Sequence, residues 1–244
     1  MKYTIAASAA MALLCLHNAI AGPADYVYTP HVEAGEREID FKFGRQNGGN
    51  SPSQTASSLG FGYGASENWF TEVYVKYQKQ GNDGLKYDAI EWENKFQLTE
   101  PGEYPVDVGL IVEIERPQDR SEGYELKVGP LFQVDQGLLQ WNGNVLFERH
   151  FDAAGPEQTE MGYQWQVKYR AQPAFEYGLQ GFGDIGEWNH WADRREQSHR
   201  AGPAIFGKLP LAARQALRYN AALLFGLSDA AADRTFRLQM EYEF

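Results

Sequence analysis

The last strand-sized segment of the chain alternates without a break. Phe236, Leu238, Met240, Tyr242 and Phe244 occupy every second position, and Arg237, Gln239, Glu241 and Glu243 fill the gaps up to the terminal carboxylate. A period of two gives an extended strand one apolar and one polar face. In a soluble sandwich the polar face would meet water, whereas in a membrane barrel the apolar face meets lipid and the polar face lines the lumen. Beyond the first 21 residues the chain has no apolar run of about 18 residues, the length a spanning helix needs. A negative mean hydropathy is compatible with a barrel, because only alternate residues face lipid.

The amino-terminal end reads as an export signal. Lys2 supplies a positive start, residues 5–16 are apolar, and Ala19-Ile20-Ala21 is a small-x-small site before Gly22. The expected division is therefore a cleavable signal over residues 1–21 and a barrel over residues 22–244. Cys15 follows Leu14, where lipoprotein processing needs a small residue, so that route is set aside. It is the only cysteine, which leaves the processed chain without a disulfide, a thiolate metal site or a cysteine nucleophile. Among 244 residues, 33 are Asp or Glu and 22 are Lys or Arg, a balance that argues against nucleic acid as a partner.

Alternation defines twelve candidate strands, with ten still compatible with the uncertainty of their boundaries. The first sets Ile39, Phe41 and Phe43 against Glu38, Asp40 and Lys42, and the second sets Leu59, Phe61 and Tyr63 against three glycines. The third opposes Val73, Val75 and Tyr77 to Glu72 and Lys76; the fourth opposes Ile90, Trp92 and Phe96 to Glu91, Glu93 and Lys95. In the fifth, Val108, Leu110, Val112 and Ile114 stand opposite Glu113 and Glu115. Tyr124, Leu126 and Val128 oppose Glu125 and Lys127 in the sixth, Trp141, Val145 and Phe147 oppose Glu148 in the seventh, and Tyr163, Trp165 and Val167 oppose Lys168 and Arg170 in the eighth. The ninth and tenth are interrupted by Gly and Pro, as at bends or bulges. The eleventh places Leu217, Leu223 and Phe225 opposite Arg218, and the opening segment is the twelfth.

Connections test this map. With both termini at one rim, tight turns should follow even-numbered strands and longer loops odd-numbered ones. Residues 66–68, 135–137 and 171–173 are short, whereas 46–53, 116–122, 151–158 and 183–197 are longer and polar. Residues 99–104 are the least regular of the expected turns. Trp69, Trp92, Trp141, Trp165 and Trp188 are expected near strand ends, at headgroup level.

The expected lumen lining is Glu38, Asp40, Lys42, Glu72, Lys76, Glu91, Glu93, Lys95, Glu113, Glu115, Glu125, Lys127, Glu148, Lys168, Arg170, Arg218 and Arg237. Acids dominate the first seven strands and bases return from the eighth. Such walls can fill a narrow lumen with ion pairs, or impose a transverse field on a polar or zwitterionic solute. Residues 183–200 hold Asp184, Glu187, His190, Asp193, Glu196 and His199, but their spacing fits no metal template, and Arg194, Arg195 and Arg200 oppose a cation. Neither a metal nor a cofactor is expected. Lipid hydrolysis on such a barrel needs a serine and a histidine on one face of a strand. Here Ser198 and His199 are adjacent and point to opposite faces, so no catalytic residue is expected.

Two resemblances extend these readings. The terminus, with Arg237, Tyr242 and Phe244, resembles the assembly signal of bacterial outer-membrane barrels, although Gln239 stands where that pattern has glycine. This resemblance implies that Tyr242 and Phe244 are read by the barrel assembly machinery and that the protein resides among outer-membrane lipid. Residues 58–69, Ser-Leu-Gly-Phe-Gly-Tyr-Gly-Ala-Ser-Glu-Asn-Trp, resemble the hairpin of small barrels of the meta-pathway phenol-degradation family. That likeness implies passage of aromatic or other small solutes. The expected function is a passive channel or binding barrel for small solutes; the alternatives are a plugged structural barrel and an outer-membrane lipid hydrolase.

Overall fold

A computed structural model describes residues 22–48, 52–155 and 157–244. The expected signal over residues 1–21, with Cys15, lies outside the described residues. Twelve strands form the wall: β1 Arg37–Asn47, β2 Gln54–Ser66, β3 Trp69–Gln80, β4 Lys86–Gln97, β5 Asp107–Pro117, β6 Tyr124–Gln136, β7 Leu139–Phe151, β8 Thr159–Gln172, β9 Phe175–Glu187, β10 Ser198–Ala212, β11 Gln215–Gly226 and β12 Arg234–Glu243. Each pairs antiparallel with its sequence neighbours, and β12 returns to β1 with Glu38 opposite Glu243 and Phe41 opposite Met240. The barrel is therefore closed, and the Phe244 amide adds a bond of 2.9 Å to the Arg37 carbonyl at the seam. Closure removes the free edges that an open sheet would present.

The side-chain period explains the burial. Outward apolar residues such as Ile39, Phe61, Trp92 and Leu179 are 43–53% exposed, while inward Asp40, Glu72, Glu113 and Arg237 are at most 2% exposed. This is the inverse of a soluble barrel. Two-residue turns after β2, β6, β8 and β10 define one rim, where the connection after β4, residues 98–106, departs from the expected tight turn; the connections after odd-numbered strands form the other rim, that from β11 to β12 reaching from residue 227 to 233.

Two expectations need correction. Residues 183–187 belong to β9 rather than to a loop, because outward Gly181 and Gly183 let the sheet continue beneath the Trp165 and Tyr163 rings. The intervening loop begins at Trp188, and a two-residue strand, His190–Trp191, folds back onto the end of β9. Trp92 and Trp165 lie in mid-strand rather than near strand ends. Their positions follow packing: the Trp92 indole donates to Thr71 Oγ1 at 2.8 Å, and Trp165 covers Gly181.

Candidate functional site: a divided lumen

Polar side chains are required on the inner faces, yet several inner positions carry apolar ones. Ile111, Leu131 and Leu146 from β5, β6 and β7 are at most 1% exposed, and Phe182, Phe206 and Leu224 form a second plate from β9, β10 and β11. The reason is residues 22–36, which thread the lumen before β1 begins. Tyr28 packs on the first plate and Val27 on the second. Burying a side chain such as Val27 stabilises by about 1.5–3 kcal/mol, so these two anchors favour the seated position of the segment.

The wall is shaped around this segment. A methyl group on Gly44 would lie 1.9 Å from the Pro23 carbonyl oxygen, and one on Gly64 the same distance from that of Glu33. Gly109 similarly admits Pro30. Polar contacts then fix the register. The Tyr26 hydroxyl bonds both Glu93 oxygens at 2.8 and 2.9 Å, Asn144 donates to the Tyr28 carbonyl at 3.1 Å, and the Val32 amide donates to Gln97 at 2.9 Å. His31 Nε2 meets Asp107 at 2.9 Å. The Lys42 ammonium sits between the Tyr26 and Tyr74 rings, 3.8 and 3.6 Å from their centroids.

The segment divides the lumen into two vestibules. The one towards the long-loop rim has a volume of about 720 Å³, and the one towards the short-turn rim about 520 Å³. Tyr26 and Tyr28 line both. Carboxylates outnumber basic groups in each.

Of the expected lining residues, Lys42, Lys76, Glu91, Glu115, Glu125, Lys127 and Glu148 face the first vestibule. Glu38, Asp40, Glu72, Glu93, Lys95, Lys168, Arg170 and Arg218 face the second. Glu113 and Arg237 are buried in the wall. The lysines of the acidic side are held locally: Lys76 bridges Glu91 and Glu115 at 2.9 and 2.5 Å, and Lys127 lies 3.2, 3.5 and 3.6 Å from Glu113, Glu125 and Glu148. Lys42 is 3.5 Å from Asp40. On the basic side, Arg218 pairs with Glu243.

An amide relay was not among the expected features. Arg237 donates to Gln180 at 2.7 Å, Gln180 to Gln166, Gln166 to Asn142 and Asn142 to Gln133, the last three at 2.9 Å. Every member is buried. The sequence signal was present in the inner phase of β7 and β8, where Asn142, Asn144, Gln164 and Gln166 replace charged residues.

Other chemistries find little footing among the described residues. Two groups, Glu125 with Glu148 and His150, and Glu91 with Glu93 and Glu113, can each bring ligand atoms within 4.8 Å of one another, but the Lys127 ammonium supplies positive charge at the first and, with Lys76, at the second. The His199 ring is bonded to Tyr163 at 2.9 Å and Gln197 at 3.1 Å, not to a serine. His190, Asp193 and Glu196 are exposed on the loop after β9.

No family model and no curated protein matches the chain. Among solved structures, it resembles the NanC porin with a TM-score of 0.53 and 11% identity, over 84% of this chain and 98% of that one. It also resembles an outer membrane channel from Pseudomonas putida F1, with a TM-score of 0.55 and 11% identity over 91% of this chain and 98% of that one. The shared property is the fold, a closed twelve-stranded antiparallel barrel. The narrower likeness to the meta-pathway family has no family match behind it.

Proposed function

We propose that this protein is a passive channel of the bacterial outer membrane for small solutes, with an acidic lumen that favours cations. The observation carrying this reading is the inverted barrel, an apolar outer belt around a polar, charged interior holding two vestibules. Residues 1–21 act as the export signal, so that the mature chain starts at Gly22 inside the lumen. The likeness of residues 58–69 to the meta-pathway barrels favours small aromatic or polar solutes, and an uneven distribution of charge around the wall would orient a zwitterion. The solved structures it resembles are porins and channels, which favours transport over catalysis.

The competing reading is a structural barrel that conducts nothing, and the segment lodged in the lumen favours it. Two measurements decide. The processed protein should require detergent for extraction and migrate differently on gels before and after boiling; a form soluble in the periplasm would overturn the barrel's location. In planar bilayers it should show discrete, cation-preferring conductance, and silence together with no solute uptake would favour the structural reading.

Tyr242 and Phe244 serve assembly. Their rings stack at 5.6 Å between centroids at the end of the closing strand, where the machinery would engage it. Deleting Phe244 should sharply lower the amount of inserted, heat-modifiable protein; unchanged insertion would remove that role.

A further inference from the structure

The segment in the lumen is bound in a way that wall strands are not. Among the described residues, the backbone of residues 22–32 makes no bond to the backbone of any strand; its one backbone bond joins Asp25 to Gly22. Apart from the Gly22 amide, which donates to Asp25 within the segment, its other partners are side chains of Gln97, Asn144 and Gln164 on the wall, all of which remain polar lumen groups able to take water when the segment leaves. At the short-turn rim the situation changes. Gly35 adopts φ of 77°, and paired bonds of 2.8 and 2.9 Å link Gly35 and Glu36 to Gly64. A backbone in that left-handed region favours glycine, and here it reverses the chain between the lumen and β1.

We propose that residues 22–36 form a hinged gate, a peptide ligand bound in cis that swings about Gly35 toward the short-turn rim and joins the two vestibules into one path. This rests on the channel reading above. The groove it occupies is built for an extended peptide: Gly44 and Gly109 clear its backbone, Val27 and Tyr28 fill apolar recesses, and Glu93 receives the Tyr26 hydroxyl. These contacts do not depend on covalent continuity with β1, so the same peptide offered in trans occupies the same groove. Among the described residues the segment is tied to the wall backbone only at Gly35 and Glu36, and Gly22, its free end once residues 1–21 are removed as proposed above, lines the larger vestibule. Withdrawal therefore requires no strand to open.

The test is single-channel recording on the full chain carrying Tyr26→Ser, Val27→Ser and Tyr28→Ser together, with heat-modifiable migration as the check on folding. The gate predicts a severalfold larger dominant conductance than in the wild type. A synthetic peptide of residues 22–33, added from the short-turn side, should return it to the wild-type level, while the peptide bearing the same three serines should not. Equal conductance in wild type and variant, or no block by the native peptide, overturns the gate and leaves the channel reading intact. If both proteins are folded and neither conducts, the channel reading itself fails. Should the triple variant not insert, a lock decides the matter. Processing at Gly22 leaves no native cysteine, and the Gly109 methyl position is 2.9 Å from Pro30 Cβ, close enough for Pro30→Cys with Gly109→Cys to form a disulfide after a small shift. The oxidised form should stay at the lowest conductance and reduction should release openings to a higher one; identical traces before and after reduction overturn the proposal.

Discussion

The ionic clusters of β3 to β7 and the amide relay that runs from β6 to β12 fill the same lumen by opposite means. On the ionic side two lysines each hold two or three carboxylates, so buried charge is compensated locally and densely. On the relay side, Gln180, Gln166, Asn142 and Gln133 pass hydrogen bonds in one direction with no charge except Arg237 at the head. The difference teaches where each kind of change will register. Removing an ion from the first region strands the others in a poorly solvated wall, whereas removing an amide from the second breaks only neutral hydrogen bonds to its neighbours in the chain.

The largest expected effect is therefore Lys127→Met. Lys127 is 6% exposed and faces Glu113, Glu125 and Glu148, so its loss leaves three carboxylates without their shared cation. Breaking a buried pair in this way costs about 3–5 kcal/mol. A large fall in the urea midpoint of the barrel refolded in lipid vesicles is expected, whereas a fall no larger than that of Lys168→Met would show that the cluster is well hydrated. Lys168 makes a suitable control because its ammonium rests over the Phe206 ring, 4.8 Å from the centroid.

Next in size is selectivity. Replacing Glu91, Glu93, Glu113 and Glu115 together by Gln removes four negative charges and strips Lys76 of both its carboxylates. The reversal potential under a salt gradient should move from cation preference toward anion preference, because the field of the lumen changes sign locally. Substitutions within the relay carry no such charge and should leave the reversal potential where it was. A channel indifferent to the four acidic changes would place control of selectivity at another constriction.

The strands were legible because an exposed apolar outer face and a buried polar inner face enforce a period of two along every wall segment. Even β9 and β10 kept enough of it to be counted, through Phe175, Tyr177 and Leu179 and through Ile205 and Leu209. Strand ends were less legible, since pairing continues past the last outward apolar residue wherever glycines allow, as Gly181 and Gly183 do in β9. The segment in the lumen was missed because a coil bound through side chains has no period. Its trace lay elsewhere, in Ile111, Leu131 and Leu146, apolar residues standing at polar-phase positions of three consecutive strands. The relay went unread for a related reason: inner-facing amides look like ordinary lumen polarity until their spatial order is known.

The smallest expected effect tests that order. Gln166 both accepts from Gln180 and donates to Asn142, so Gln166→Leu orphans a donor on one side and an acceptor on the other. An unsatisfied buried polar group costs about 1–3 kcal/mol, and water from the lumen offsets part of this, so a loss of about 1 kcal/mol is expected in the same urea titration. Gln180→Leu alone should cost a similar amount. The double substitution is the informative one, because once Gln166 is gone the bond that Gln180 gave it no longer exists to be lost. The two losses should therefore sum to more than the double variant shows, with a coupling energy of about 0.5–1 kcal/mol. Simple additivity would mean that each amide is satisfied independently by water, and that the lumen is wet on this side as well as among the carboxylates.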